Sequence, residues 1–277
     1  MKDLWVPLSG AIAQQRKVET IANNVANANT PGFKRDQVTF KEYMTALNKG
    51  VEDIDLPNKE WAPQDFYRSY GAENAQVEVD ASYTIFEQGQ MRPTKNPLDI
   101  ALFGNGFIEV LTPNGIRYTR RGMLSLENDG TLVTDKGHKV LMRSEIPANA
   151  TDEQLQALPK PEDRVIKIPN GQVSINLQGE VFSNDLKVGH LTVREFHDQQ
   201  ALRKEGSSLY INKDLSNIKT TPLKTAIHQG YVEESNVNAI HEMSELIKAH
   251  RHFESIQNVI KTYDNISSKG VNEISKF

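Results

Sequence analysis

Leu4, Ala11, Val18 and Val25 recur every seven residues, and Leu8, Ile12, Ile21, Ala22 and Ala28 fill the neighbouring positions of one stripe. Gln14, Gln15, Arg16, Lys17 and Glu19 take the other face, so the spacing predicts an amphipathic helix. Pro7 is tolerated only in a first turn, which runs the helix from about Pro7 to Ala28, roughly 33 Å at 1.5 Å per residue. Thr30-Pro31-Gly32 should then end it and turn the chain, because the residue before proline avoids the α region and glycine accepts positive φ. Helical spacing returns near the other end. Ile240, Met243, Leu246, Ile247, His250, Phe253, Ile256, Ile260, Tyr263 and Ile266 form a continuous stripe, predicting a helix from Ala239 to about Ser268, roughly 45 Å long. His250 is read there as a packed side chain, and Ser235, Asn236, Val237 and Asn238 supply the cap.

Between Ala81 and about Ile227 the period changes to two, with β-branched and aromatic residues between turn signals. Leu98–Leu102, Phe107–Leu111, Ile116–Thr119, Val165–Ile168, Val173–Ile175 and Leu191–Phe196 read as short strands. Asn114-Gly115, Asp129-Gly130 and Asn170-Gly171 are read as tight hairpin turns, whose two central residues need positive φ. Ala148 to Asp163 is expected to form a short surface helix in a loop. From Arg35 to Asp80, Phe40, Tyr43, Met44 and Leu47 predict a short helical continuation, followed by an extended segment carrying Trp61, Phe66, Tyr67 and Tyr70. The class is α+β. Long terminal helices (1–35 and 229–277) pair into a helical bundle or coiled coil, 36–80 connects, and 81–228 makes an all-β outer domain.

Four asparagines, Asn23, Asn24, Asn27 and Asn29, crowd the end of the first helix although asparagine is a poor helix-interior residue. Two readings stay open: a frayed helix end, where asparagine commonly serves caps and turns, or amides hydrogen-bonded across a packed helical interface that fix its register.

At 277 residues the chain can bury a real core, and no stretch approaches the ~20 apolar residues that span a bilayer. A net charge of -4 without a Lys/Arg block argues against nucleic acid. The absence of cysteine removes disulfides, thiolate metal sites and cysteine nucleophiles. Met1 to Ala13 only faintly resembles a signal peptide, since Asp3, Pro7 and Ser9 interrupt it, so no cleaved signal is expected.

Chemistry-bearing patterns fail on spacing. Phe103-Gly104-Asn105-Gly106-Phe107 lacks the third glycine of a dinucleotide loop and joins strands, so it reads as a turn. His241-Glu242-Met243-Ser244-Glu245 has Glu where a zinc hydrolase needs its second His. His250 and His252 are two apart and cannot face one ligand in a helix. Gly206-Ser207-Ser208-Leu209 lacks the nucleophile elbow. No catalytic constellation, cofactor or metal site is expected.

The segment Ala22 to Arg35, A-N-N-V-A-N-A-N-T-P-G-F-K-R, resembles the N-terminal motif of the bacterial flagellar rod and hook proteins. Gly230 to Asn238, G-Y-V-E-E-S-N-V-N, resembles their C-terminal motif, and Asn96 to Val110 resembles the start of the β-rich domain in rod proteins. The resemblance implies a structural subunit of the flagellar basal-body rod with no enzymatic activity. It implies export through the flagellum's own apparatus, assembly in the periplasm around an axial channel, and transmission of motor torque. The partners implied are other rod subunits and the export apparatus, without direct membrane insertion. On that basis the subunit interface falls on the helix seams and motifs: Leu4, Leu8, Ala11, Val18, Ile21, Asn23, Asn24, Val25, Asn27, Thr30, Pro31, Gly32 and Phe33 at one end, Ser235, Asn236, Val237, Asn238, Ile240, Met243, Ile247, Phe253, Ile256, Ile260 and Tyr263 at the other. Pro97–Leu102 leans toward the proximal rod, while Gly104–Phe107 and Gly230–Glu233 are equally like the distal rod. A distal-rod or hook-family axial protein is the alternative, and a periplasmic β-domain binding module or hydrolase the non-flagellar one.

Overall fold

The computed structural model describes residues 5–44, 75–143, 160–169, 171–206, 208–219 and 224–274. The chain divides into two compact units. One takes in Met1–Val25, Asp36–Tyr83 and Ala239–Phe277; the other takes in Ala26–Arg35 and Thr84–Asn238. Ala26–Arg35 and the residues just before Ala239 fall in the β-rich unit, and Asp36–Tyr83 falls with the two ends of the chain.

In the helical unit, α1 spans Trp5–Ala26 and α2 spans Ala239–Ile274. The expected stop after α1 is met: Phe33 donates its N–H to the Thr30 carbonyl at 3.2 Å, and Gly32 sits at φ 69°. Residues 36–44 do not continue as a helix. They form β1 (Asp36–Met44), paired with β2 (Ala75–Thr84) in a two-stranded sheet. The β-branched and aromatic alternation of Val38, Thr39 and Phe40 suits a pleated ribbon. Across that ribbon Thr39 Oγ1 donates to the Ala81 carbonyl, and Lys41 lies 3.2 Å from Asp80. Ser9 Oγ of α1 accepts the Val77 N–H, so one backbone donor of β2 is satisfied by the helix.

The second unit is built of short antiparallel strands: β3 (Met91–Pro93), β4 (Ile100–Phe103), β5 (Phe107–Thr112), β6 (Gly115–Thr119), β7 (Leu124–Leu126), β8 (Leu132–Thr134), β9 (Lys139–Val140), β10 (Val173–Ile175), β11 (Glu180–Ser183), β12 (Leu186–His190), β13 (Val193–Arg194), β14 (Arg203–Glu205), β15 (Leu209–Ile211), β16 (Ala226–Gln229) and β17 (Tyr231–Glu233). The large sheet runs β14-β15-β6-β5-β9-β8-β7 with β13 also on β5, beside a β10-β11-β12 sheet and the pairs β16-β4 and β17-β3. The last two pairings bring the C-terminal strands back onto the first strands of the unit, with Ile227 opposite Leu102 and Val232 opposite Arg92.

Its aliphatic core gathers Ile100, Leu102, Ile108, Val110, Leu132, Val140, Ile166, Val181 and Leu191. A second, aromatic core joins Phe86, Phe107, Tyr118, Phe196 and Tyr210, whose rings meet edge to face or tilted at 5.0 to 5.7 Å. Buried Glu109 of β5 is held by Arg164 at 2.9 Å and Arg194 at 3.2 Å.

The β5–β6 hairpin pairs Thr112 with Gly115, so the turn residues are Pro113 and Asn114, and positive φ occurs at Gly115 alone. The turn with two positive φ values is elsewhere: Asn184 (48°) and Asp185 (65°) join β11 to β12. Asn170 and most of the expected 148–163 helix lie outside the described residues. Within the latter, Pro161–Arg164 is one 3-10 turn.

Candidate functional site

Three stretches of the β-rich unit converge on one carboxylate. Gly32 donates its N–H to the Glu233 carbonyl at 2.8 Å, and a Cβ at Gly32 would stand 2.8 Å from the Arg120 carbonyl carbon. Only glycine fits both that approach and the left-handed backbone. Two residues on, Lys34 Nζ donates to Glu233 Oε1 and to the Glu87 carbonyl, both at 2.6 Å. The Gly89 N–H donates to the same Oε1 at 3.0 Å. Arg120 Nε lies 3.5 Å from Glu233 Oε2, while its terminal nitrogens donate to the Gly106 and Gly104 carbonyls at 3.0 and 2.7 Å. The side chains of Lys34 and Glu233 are 0% exposed and that of Arg120 is 1% exposed.

Two cations share one carboxylate here, out of water. Burial is the largest influence on Lys34 and draws its amine down to about 8; Glu233 pulls it back up and Arg120 pushes it further down. Asn236 ties the same stretches by neutral bonds. Its Oδ1 accepts the Arg35 N–H at 2.8 Å, and its Nδ2 donates to the Ile85 and Glu87 carbonyls at 2.8 and 3.2 Å. Lys204 Nζ sits 3.8 Å over the Phe33 ring and donates to the Lys34 carbonyl. The N-terminal motif and the C-terminal motif therefore grip one another within a single chain.

The helical unit treats its expected seam residues differently. Asn24, expected on a subunit seam, is 1% exposed and its amide is used inside the chain. Its Oδ1 accepts the Asp36 N–H at 3.0 Å, and its Nδ2 donates to the Asp36 carbonyl at 2.8 Å and to Glu242 Oε2 at 3.2 Å. A Cβ at Gly10 would lie 3.9 Å from Ile256 Cδ1. The Asn24–Glu242 and Gly10–Ile256 approaches are fourteen residues apart on each helix and in opposite order, so α1 and α2 run antiparallel.

Ala11 and Ile21 are buried, while Val18, Val25, Phe253, Ile256 and Ile260 are half-buried. Leu8 is 42% exposed, Ile240 83%, Met243 51%, Ile247 55% and Tyr263 50%. Asn23 and Asn238 are exposed, and Asn27 accepts from Thr30 Oγ1. Thr30, Pro31, Gly32 and Phe33 lie in the β-rich unit, with Phe33 buried. Ser235 Oγ accepts the N–H of buried Val237. Leu4 lies outside the described residues. His250 is not packed: its side chain is 61% exposed and pairs with Glu254 one turn on.

Lys34, Glu233 and Arg120 were not singled out from the sequence as site residues. The signal was present for two of them, a lysine next to a motif phenylalanine and a glutamate following Val232 in an apolar strand. Nothing marked Arg120. The Phe103–Phe107 loop is a turn between β4 and β5, and the Arg120 guanidinium occupies its carbonyls.

Comparison with known proteins gives the same two ends and the middle. Family models described as flagella basal body rod protein, flagellar hook protein FlgE/F/G D1 domain, and flagellar basal body rod FlgEFG protein C-terminal match residues 6–34, 101–183 and 228–273. The flagellar basal-body rod protein FlgG of Buchnera aphidicola subsp. Schizaphis graminum is 31% identical over 275 residues, covering 96% of this chain and 97% of that protein. The chain belongs to the flagellar basal-body rod protein family. FlgG of Caulobacter vibrioides is 32% identical with 96% and 97% covered, and the flagellar hook-basal body complex protein FlhO of Bacillus subtilis is 30% identical with 100% and 99% covered. This rod protein is a structural subunit of the flagellar basal body and assembles with other axial subunits. Among its described residues no helix is long and apolar enough to cross a membrane.

Proposed function

We propose that the outer faces of α1 and α2 are the surfaces by which this rod subunit is built into the axial shaft. The observation that carries this is an apolar stripe that stands exposed among the described residues. On α1 it comprises Trp5, Leu8 and Ile12; on α2 it comprises Ile240, Met243 and Ile247, each between 42% and 83% exposed. The opposite face of α2, with Leu246, Ala249, Phe253, Ile256 and Ile260 at alternating spacings of three and four, turns inward at heptad positions. That pattern supports an antiparallel coiled-coil seam between α1 and α2, leaving the second stripe for neighbours. A patch repeated on every copy and matched by a different patch on the next generates an open helical stack.

The subunit then acts by position and stiffness, without catalysis. It leaves the cytoplasm through the flagellar export apparatus, assembles in the periplasm and carries torque around an axial channel. The Pro97–Leu102 segment supports a place in the proximal rod. Deletion of the gene with electron microscopy of basal bodies tests this. Rods that stop short, without hooks, are expected; complete rods and hooks in the deletion strain would overturn the reading.

A further inference from the structure

The cluster around Glu233 joins separate stretches of the β-rich unit. Its members come from Gly32–Arg35, Ile85–Gly89 and Glu233–Asn236, and each stretch lies within a few residues of a point where the chain passes between the two units, at 35/36, 83/84 and 238/239. Backbone bonds link the same three. Ile85 N–H donates to the Arg35 carbonyl at 2.8 Å, Glu234 N–H donates to the Gln90 carbonyl at 2.8 Å, and Asn236 N–H donates to the Phe33 carbonyl at 3.4 Å. The three stretches are thereby tied into one place within the β-rich unit.

We infer that the two motifs form a clasp that opens and closes as one step, distinct from unfolding of the β-rich unit, with the Glu233 carboxylate as its pin. The charge arithmetic makes it separable. Lys34 and Arg120 are both buried against Glu233, so removing the carboxylate strips two enclosed basic groups of their counter-charge, and Lys34 must release its proton or stay charged out of water. The neighbouring strands do not depend on that carboxylate, because β5 and β6 are held by their own ladder from Ile108↔Thr119 to Thr112↔Gly115. Local opening with free energy below that of global unfolding is the expected behaviour of such a cluster.

The test is site-resolved amide hydrogen exchange on the full chain carrying Glu233→Gln. The N–H groups of Gly32, Arg35 and Ile85 should exchange faster by on the order of a hundredfold, while those of the β5–β6 ladder keep their wild-type protection. Asn236→Ala removes only neutral bonds and should accelerate the same amides by about tenfold, which keeps the test available if Glu233→Gln does not fold. Lys34→Met together with Glu233→Gln should restore part of the protection lost in Glu233→Gln alone. Unchanged exchange at Gly32 and Arg35 in both single variants, or an equal rise at the clasp and the β5–β6 ladder, would overturn the inference.

Discussion

Arg120 and Lys34 are among the largest fully buried side chains of the β-rich unit, whereas in the helical unit Ile240 stands 83% exposed. The two regions thus invert the usual sorting of charge inside and out, in opposite directions. In the β-rich unit the enclosed cations are affordable because Glu233, two glycine carbonyls and the Glu87 carbonyl already face them. The gain is position: a carboxylate gripped from several sides fixes where the chain ends meet. In the helical unit uncovered isoleucine and methionine cost solubility in a lone molecule, and that cost is removed only by another protein surface. One region is complete within the chain, and the other is, on the proposed function, half of an interface.

Phe107→Ala should give the largest effect and confine it to the complete region. Phe107 is 0% exposed and its ring meets Phe86, Phe196 and Tyr210. Its truncation should cost about 3–5 kcal/mol in calorimetric unfolding of the β-rich unit. A loss under about 1 kcal/mol would mean that the aromatic core is loosely packed and the contrast between the regions overstated.

Asn24→Ala comes next and probes an enclosed polar tie of the helical unit. Three hydrogen bonds to Asp36 and Glu242 depend on that amide, and Glu242 is itself 1% exposed. The expected loss is about 1–3 kcal/mol, seen as a lower helical melting temperature in circular dichroism. An unchanged melting temperature would return Asn24 to the role of a partner-facing residue.

Much of this was readable in advance because it is periodic. Both helices follow from their stripes, although α2 runs on to Ile274 past the last apolar position used to end it. The β region follows from its alternation of period two. β1 was misread because Phe40, Tyr43, Met44 and Leu47 fall at helix-like intervals, while the strand that decides the matter, β2, lies beyond residues 45–74. The Asn184-Asp185 turn was missed because Asp lacks the glycine that advertises positive φ. The clasp was hidden for a different reason. Lys34 and Glu233 are 199 residues apart, and no local pattern states that two charges will be buried together. The asparagine cluster signalled that something was unusual at the end of α1 without saying whether the partner was the same chain.

Alkaline titration separates Lys34 and Tyr118, two buried groups of the β-rich unit, by sign. Burial lowers Lys34 from 10.5 to about 8, so between those values the unfolded chain keeps a proton that the folded chain has released. The stability contributed by Lys34 is therefore full above 10.5 and is lost as the pH falls through 8. Burial and then Glu109 raise Tyr118 from 10.0 to about 12, so its contribution is present below 10 and lost as the pH rises through 12. Wild type measured against Lys34→Met should gain stability from pH 8 to 10.5, and against Tyr118→Phe should lose it from pH 10 to 12. Slopes of the same sign in the two series would contradict the burial argument.

The smallest effect on the folded chain should come from the region expected to matter most for assembly. Ile240→Asp and Ile247→Asp replace side chains that are 83% and 55% exposed, so each should change the stability of the isolated subunit by no more than about 0.5 kcal/mol. The same substitutions place a carboxylate where a neighbour's apolar surface must lie, and burying an unpaired charge there is strongly unfavourable. Swimming and hook-bearing basal bodies should be lost while the purified subunit melts as wild type does. Normal motility in both strains would mean that the exposed stripe is not a subunit contact, and the contrast between a complete region and an unfinished one would fail.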